Sequence, residues 1–169
     1  MKTPAFNVDE LVQGDFLFYG AKGLFDLSSQ VVMRRTAWGY AVHVEIYHGL
    51  FEGQHMSTAS RNGIGVNLYP LRTKQLISVR RAKHSWNYAQ AFSWFENVAK
   101  GQAYDWKGLL CFIYAVKFGD PDKMFCSEYG TRFARIGDLQ IVNYRTDADT
   151  VSPNDLDKTL ALKDVWRCK

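Results

Sequence analysis

Two hydrophobic periodicities divide this chain, and their order constrains its fold more than any other feature. Through the first half, apolar residues alternate or run in short blocks between turn residues; in the second half they recur at the spacing of helices. Segregation of this kind predicts an α+β fold. The 169 residues, 47% of them apolar, suit one domain over 1–169 with a core of its own, and no linker or repeat interrupts them.

Asp15 to Tyr19, between Gly14 and Gly20, reads as a buried strand, and Gly23 to Thr36 as a short helix. From Val42 to Tyr47 the period of two places Val42, Val44 and Ile46 on one face and His43, Glu45 and Tyr47 on the other. That polar set is expected to face a cleft or water. A turn centred near Leu50 would return the chain, so that Gln54 to Ser60 pairs antiparallel with it, and further strands are predicted at Gly65 to Leu71 and Leu76 to Arg81.

Helical spacing begins after Ser85, a predicted cap, and runs to Gly101 through Tyr88, Ala91, Phe92, Phe95 and Ala99. Trp106 to Val116 reads as a second, buried helix. A third opens at Cys126, presents Tyr129, Gly130, Phe133 and Ala134 on one face, and stops at Gly137. Ser152-Pro153 starts a last short helix through Leu160.

Several function classes are disfavoured. The net charge of +4 is spread over pairs such as Arg34-Arg35 and Arg80-Arg81, read as solvated surface, and no aromatic-basic motif points to nucleic acid. The longest uncharged apolar run, Gly108 to Val116, is far short of the ~20 residues of a membrane-spanning helix. Asp9 and Glu10 stand where a secretory signal would be apolar, so synthesis in the cytoplasm without that export route is expected. Cys111, Cys126 and Cys168 are odd in number and lack C-x-x-C spacing, which argues for reduced thiols and against a disulfide framework or a zinc site; no metal or cofactor is expected.

Chemistry concentrates at Cys126. A thiol at a helix start meets unpaired N–H groups and the positive end of the helix dipole, which favour the nucleophilic thiolate and can also hold an oxyanion. Taken alone, a cysteine there is as often a small buried hydrophobe. A thiol nucleophile needs a histidine. Among His43, His48, His55 and His84, His43 is best placed, on the polar face of an apolar strand, whereas His48 falls in a predicted turn and His84 before a helix. A third group should orient the imidazole. With the turn near Leu50, Ser57 would lie opposite His43 and His55 opposite Glu45; a one-residue slip brings Thr58 into place. Glu45, on the same face as His43, is a further candidate, although a solvated carboxylate is the plainer reading. Tyr104 and Trp106 are candidates for a cleft wall, against a plainer reading in which Asp105 caps a helix and Trp106 fills core. Glu128 complements the dipole of the Cys126 helix.

Four motifs together carry a resemblance: Gly14-Asp15-Phe16-Leu17-Phe18, His43-Val44-Glu45-Ile46-Tyr47, Tyr104-Asp105-Trp106-Lys107-Gly108-Leu109-Leu110 and Phe125-Cys126-Ser127-Glu128. In this order they resemble the circularly permuted branch of the NlpC-type papain-like hydrolases, over most of the chain from Gly14 to about Gly137. The likeness implies a papain-like α+β fold, circularly permuted, with a small antiparallel sheet or partial barrel packed against the helix that carries Cys126, and with Cys126 as nucleophile and His43 as general base. It also marks two departures: the family usually has glycine where this chain has Glu45, and its third catalytic position falls near Ser57.

The implied activity is a thiol hydrolase that cleaves an amide bond through an acyl-thioester, with the peptide of bacterial cell wall as the leading substrate. A bacterial or bacteriophage endopeptidase of this kind would reach peptidoglycan through a phage or lysis route. Two alternatives stand beside it. One is a lipid or thioester acyltransferase or hydrolase of the lecithin retinol acyltransferase type, acting on a lipid-linked substrate; the other is a non-catalytic binding module on the same fold.

Overall fold

The computed structural model of the chain describes residues 6–21, 41–61, 64–109, 120 and 122–168. Six strands, each paired antiparallel with its neighbours, form one sheet: β1 (Phe16–Tyr19), β2 (His43–Phe51), β3 (Gln54–Arg61), β4 (Gly65–Pro70), β5 (Leu76–Ala82) and β6 (Leu162–Arg167), in the order β4-β3-β2-β1-β5-β6. Helices α1 (Tyr88–Trp94), α2 (Cys126–Ile136) and α3 (Pro153–Lys158) complete an α+β architecture.

The continuous apolar run of β1 follows from its place inside the sheet, buried on both faces. Phe16 and Phe18 join Val44, Ile46 and the helical residues Ala91, Phe95, Tyr129 and Phe133 in the main core. Leu17 and Tyr19 point the other way, into a smaller core with Tyr47, Leu76 and Val79 that Phe6, Leu11 and Trp166 cover. The polar face of β2 therefore looks into packed protein, not into water, and both Glu45 and Tyr47 are buried.

The β2–β3 hairpin turns later than the sequence suggests. Strand β2 runs on to Phe51, and Glu52-Gly53, with φ of 50° and 78°, makes the two-residue turn whose positive dihedrals match the twist of the strands. Tyr47 and Gly49 pair with the consecutive residues Ser57 and Met56, so His48 is the extra residue of a bulge. The same register places Thr58 opposite Ile46 and His55 opposite Leu50, which corrects the expected pairing of Ser57 with His43 and of His55 with Glu45.

Helix α1 is capped by Asn87, whose side chain accepts from the Gln90 N–H at 3.1 Å, in place of the expected Ser85. It continues as a wider turn over Phe95–Ala99, closed by the Lys100 N–H on the Phe95 carbonyl at 2.8 Å. Ser152 and Asp155 cap α3 reciprocally, and that helix ends at Lys158, before the exposed Leu160. Strand β6 is a departure from a helical second half; only its first residue is fully buried, so its alternation is faint.

Arg80-Arg81 is not a solvated pair. Arg80 is buried and donates to the Leu162 carbonyl at 2.5 Å, while Arg81 grips both oxygens of the buried Asp15 at 2.7 and 2.8 Å. The expected helix over 23–36, Arg34-Arg35 and Cys111 lie outside the described residues; of the helix expected over 106–116, residues 106–109 are helical.

Candidate active site

Cys126 is the first residue of α2, and the extended Phe125 before it supplies no side-chain cap. The helix-start N–H groups thus meet no polar side chain from their own N-cap. Glu128, in the first turn, accepts an Arg132 donor at 2.6 Å. Burial pushes its carboxyl up to about 7, against the opposing Arg132 charge, and its second oxygen is buried without a partner. Tyr129 and Phe133 anchor the helix in the main core, and α2 packs across β2 and β3. Cys126 itself keeps 4% of its surface exposed.

His43 opens β2, directly across from Tyr19 of β1, with the two rings 5.8 Å apart. Its Nε2 lies 3.0 Å from Oε1 of Glu45. An ionised carboxylate only accepts, so Nε2 carries a proton there and Nδ1 is the nitrogen left for the thiol. Burial works against the imidazolium, but the charge and hydrogen bond of Cys126, followed by those of Glu45, outweigh it and raise the ring to about 9. The imidazole side chain remains 19% exposed. Two segments far apart in sequence thus bring sulfur and imidazole together at the end of the sheet.

Glu45 is fully buried, which overturns its reading as a solvated carboxylate. An isolated charge there would be costly, and both of its oxygens are occupied. His43, Arg61 (Nε at 3.1 Å, Nη2 at 2.8 Å) and Arg72 (Nη2 at 2.7 Å) meet Oε1; Ser57 at 2.6 Å and Tyr19 at 3.2 Å donate to Oε2. Burial alone would raise this carboxyl, but hydrogen bonding and charge from His43, then the charges of Arg61 and Arg72, hold it well below the usual carboxylate range. Glu45 therefore contacts His43 directly, and Ser57 reaches the imidazole only through Glu45.

The other candidates lie elsewhere. His55 sits toward the far end of β2, its Nδ1 2.6 Å from the Tyr47 hydroxyl, on the order of 20 Å along the strand from His43. Thr58 is on the opposite face, 2.6 Å from Nε2 of His48 and 2.6 Å from the Tyr129 hydroxyl. His48 is not at a turn on the surface: it continues the Val44–Ile46 face of β2 into the main core, where Tyr88 meets its Nδ1 and desolvation lowers it to about 3. His84 is exposed. Asp105 accepts the Gly108 N–H at 2.8 Å as a helix cap, while Tyr104 and Trp106 meet edge to face at 5.0 Å and pack on Leu109 and Phe125, next to Cys126.

Sequence reasoning missed Arg61, Arg72 and Tyr19. The one available signal was Glu45 itself: a carboxylate on an otherwise apolar strand must find cations if it is buried. No protein-family model matches the chain, and no curated protein matches it. Among the described residues no group of three or more His, Cys, Asp or Glu side chains is placed to hold a metal ion, and no helix is long and apolar enough to cross a membrane.

Proposed function

We propose that the protein is a cysteine hydrolase on a circularly permuted papain-like fold, cleaving an amide bond through an acyl-thioester. The observation that carries this reading is the line Cys126, His43, Glu45: a thiol at a helix start, an imidazole raised by it, and a buried carboxylate fixing the far ring nitrogen. Supporting it is the order of parts, with the histidine strand before the cysteine helix and that helix laid across the sheet. The departure at Glu45 falls into place as well. The carboxylate stands on the histidine strand, two residues from His43, and Ser57 on the adjacent strand supports it at 2.6 Å.

In this mechanism the Cys126 thiolate attacks the carbonyl carbon, and the developing oxyanion turns toward the backbone N–H groups opening α2. The His43 imidazolium gives its Nδ1 proton to the leaving amine as the C–N bond breaks, leaving the acyl group on sulfur. Neutral His43 then takes a proton from water; hydroxyl addition expels the thiolate and releases the acid. Glu45 stays ionised throughout and balances the imidazolium.

The substrate class we propose is the peptide of bacterial cell wall. The exposed apolar pair Leu50 and Phe51 lies at the far end of β2 from His43, so it does not lead an acyl chain to the thiol. Incubation with peptidoglycan fragments and, separately, with a fluorogenic lipid ester tests the choice. Release of peptide products that Cys126→Ala abolishes is expected; turnover of the lipid ester alone would reassign the protein to acyl-lipid chemistry, and turnover of neither to a binding role.

A further inference from the structure

The charge surrounding Glu45 exceeds what Glu45 needs. Arg61 sets two nitrogens on Oε1, stacks over the Tyr69 ring at 3.8 Å and has a side chain 17% exposed, so the one buried carboxylate is already matched by one half-buried guanidinium. Cys126 and His43 share one proton and are neutral as a pair whichever of them holds it. Arg72 adds a second guanidinium and leaves one positive charge over.

Arg72 is also incompletely used. Only its Nη2 bonds Glu45; its Nε is buried without a partner, no acceptor among the described residues meets Nη1, and its side chain is 36% exposed. The guanidinium is nevertheless held in place, 5.0 Å from the centre of the Tyr19 ring, which in turn stands 5.8 Å from the ring of His43. A guanidinium held through Nη2, with Nη1 unengaged and not buried, is suited to an oxygen of a carboxylate or a phosphate.

We infer that Arg72 is a substrate-recognition residue, whose Nη1 takes an oxygen of an anionic group, a carboxylate or a phosphate, on the leaving portion of the substrate. The side follows from proton transfer: His43 protonates the leaving group, which must therefore lie over the imidazole, and Glu45 and Arg72 stand beyond that ring from Cys126. The inference rests on the cysteine-hydrolase reading and names the kind of substrate that site selects.

Alkylation of Cys126 in the full-length chain tests it, read by mass spectrometry on the peptide carrying that residue. The rate with anionic iodoacetate is divided by the rate with neutral iodoacetamide, so changes in thiol nucleophilicity cancel. Arg72→Gln is expected to lower this ratio several-fold, through loss of one favourable charge beside the path of the anion. Arg72→Lys should retain most of it, and added salt should shrink it in the unsubstituted protein, an arm that stands even if the glutamine variant does not fold. Protection against iodoacetamide by N-acetylglycine or by glycerol 3-phosphate, lost in Arg72→Gln, names the source of the anion. A ratio indifferent to both Arg72→Gln and salt, or protection by neither anion, overturns the inference and leaves the hydrolase reading standing. A Cys126 no more reactive than a free thiol toward both reagents takes the reading down with it.

Discussion

Strand β2 carries two histidines five positions apart that have opposite fates. His43 is raised to about 9 and His48 lowered to about 3, although desolvation opposes the charge on both. The difference lies in the partners. His43 meets a thiol and a carboxylate, whose negative charge outweighs the loss of water; His48 meets the hydroxyls of Thr58 and Tyr88 among the rings of Phe92, Phe95 and Phe133, which satisfy its nitrogens without supplying charge. A histidine in a strand is thus assigned to chemistry or to packing by the charge of what it touches, not by how deeply it is buried.

That contrast can be broken most directly in turnover. Replacing His43 with Gln should lower kcat/KM on peptidoglycan fragments by about 10²–10⁴-fold, the ordinary contribution of a positioned acid–base. His48→Leu should change it by less than about three-fold, because its hydroxyl partners do not enter the reaction. Equal losses in the two variants would erase the distinction.

The next effect is on stability. Glu45→Gln leaves Arg61, Arg72 and His43 facing one another without a counter-charge, and breaking a buried ion cluster in this way costs about 3–5 kcal/mol. For a chain of this size that is roughly a 10 °C drop in Tm. His48→Leu strips a hydrogen-bond partner from Thr58 and Tyr88 at a cost of about 1–3 kcal/mol by urea denaturation. A larger loss for His48→Leu than for Glu45→Gln would reverse the ranking.

Near neutrality the two histidines should oppose each other in the pH dependence of stability. The folded His43 binds its proton more tightly than the unfolded chain, whose ordinary value is 6.5. Its stabilisation is full below that value and is lost as pH rises through about 9. The folded His48 binds its proton less tightly, so stability falls as pH drops below 6.5 toward about 3, where the folded ring also charges. Urea midpoints across this range should show His43→Gln flattening the alkaline limb and His48→Leu the acidic one.

Much of this arrangement is legible in the sequence because local rules govern it. The alternation over β2, the buried run of β1 and the helix opening at Cys126 each follow from periodicity and end signals. The cysteine and His43 stand out on the same grounds. The register does not, since a bulge at His48 and a turn at Glu52-Gly53 shift every partner of β3, and periodicity cannot see an inserted residue. Arg61 and Arg72 were equally invisible: one ends β3 and the other follows β4, and only the sheet order brings them onto Glu45. Strand β6 was hidden for a further reason, an edge position that requires few buried residues.

The central claim is that Cys126, His43 and Glu45 act as one charged unit, and an NMR titration of the His43 imidazole tests it most directly. The account predicts a ring that stays protonated through neutrality, titrates near 9, and falls when Cys126 is replaced by Ala. A ring that titrates near the ordinary 6.5 and does not respond to that replacement would contradict it.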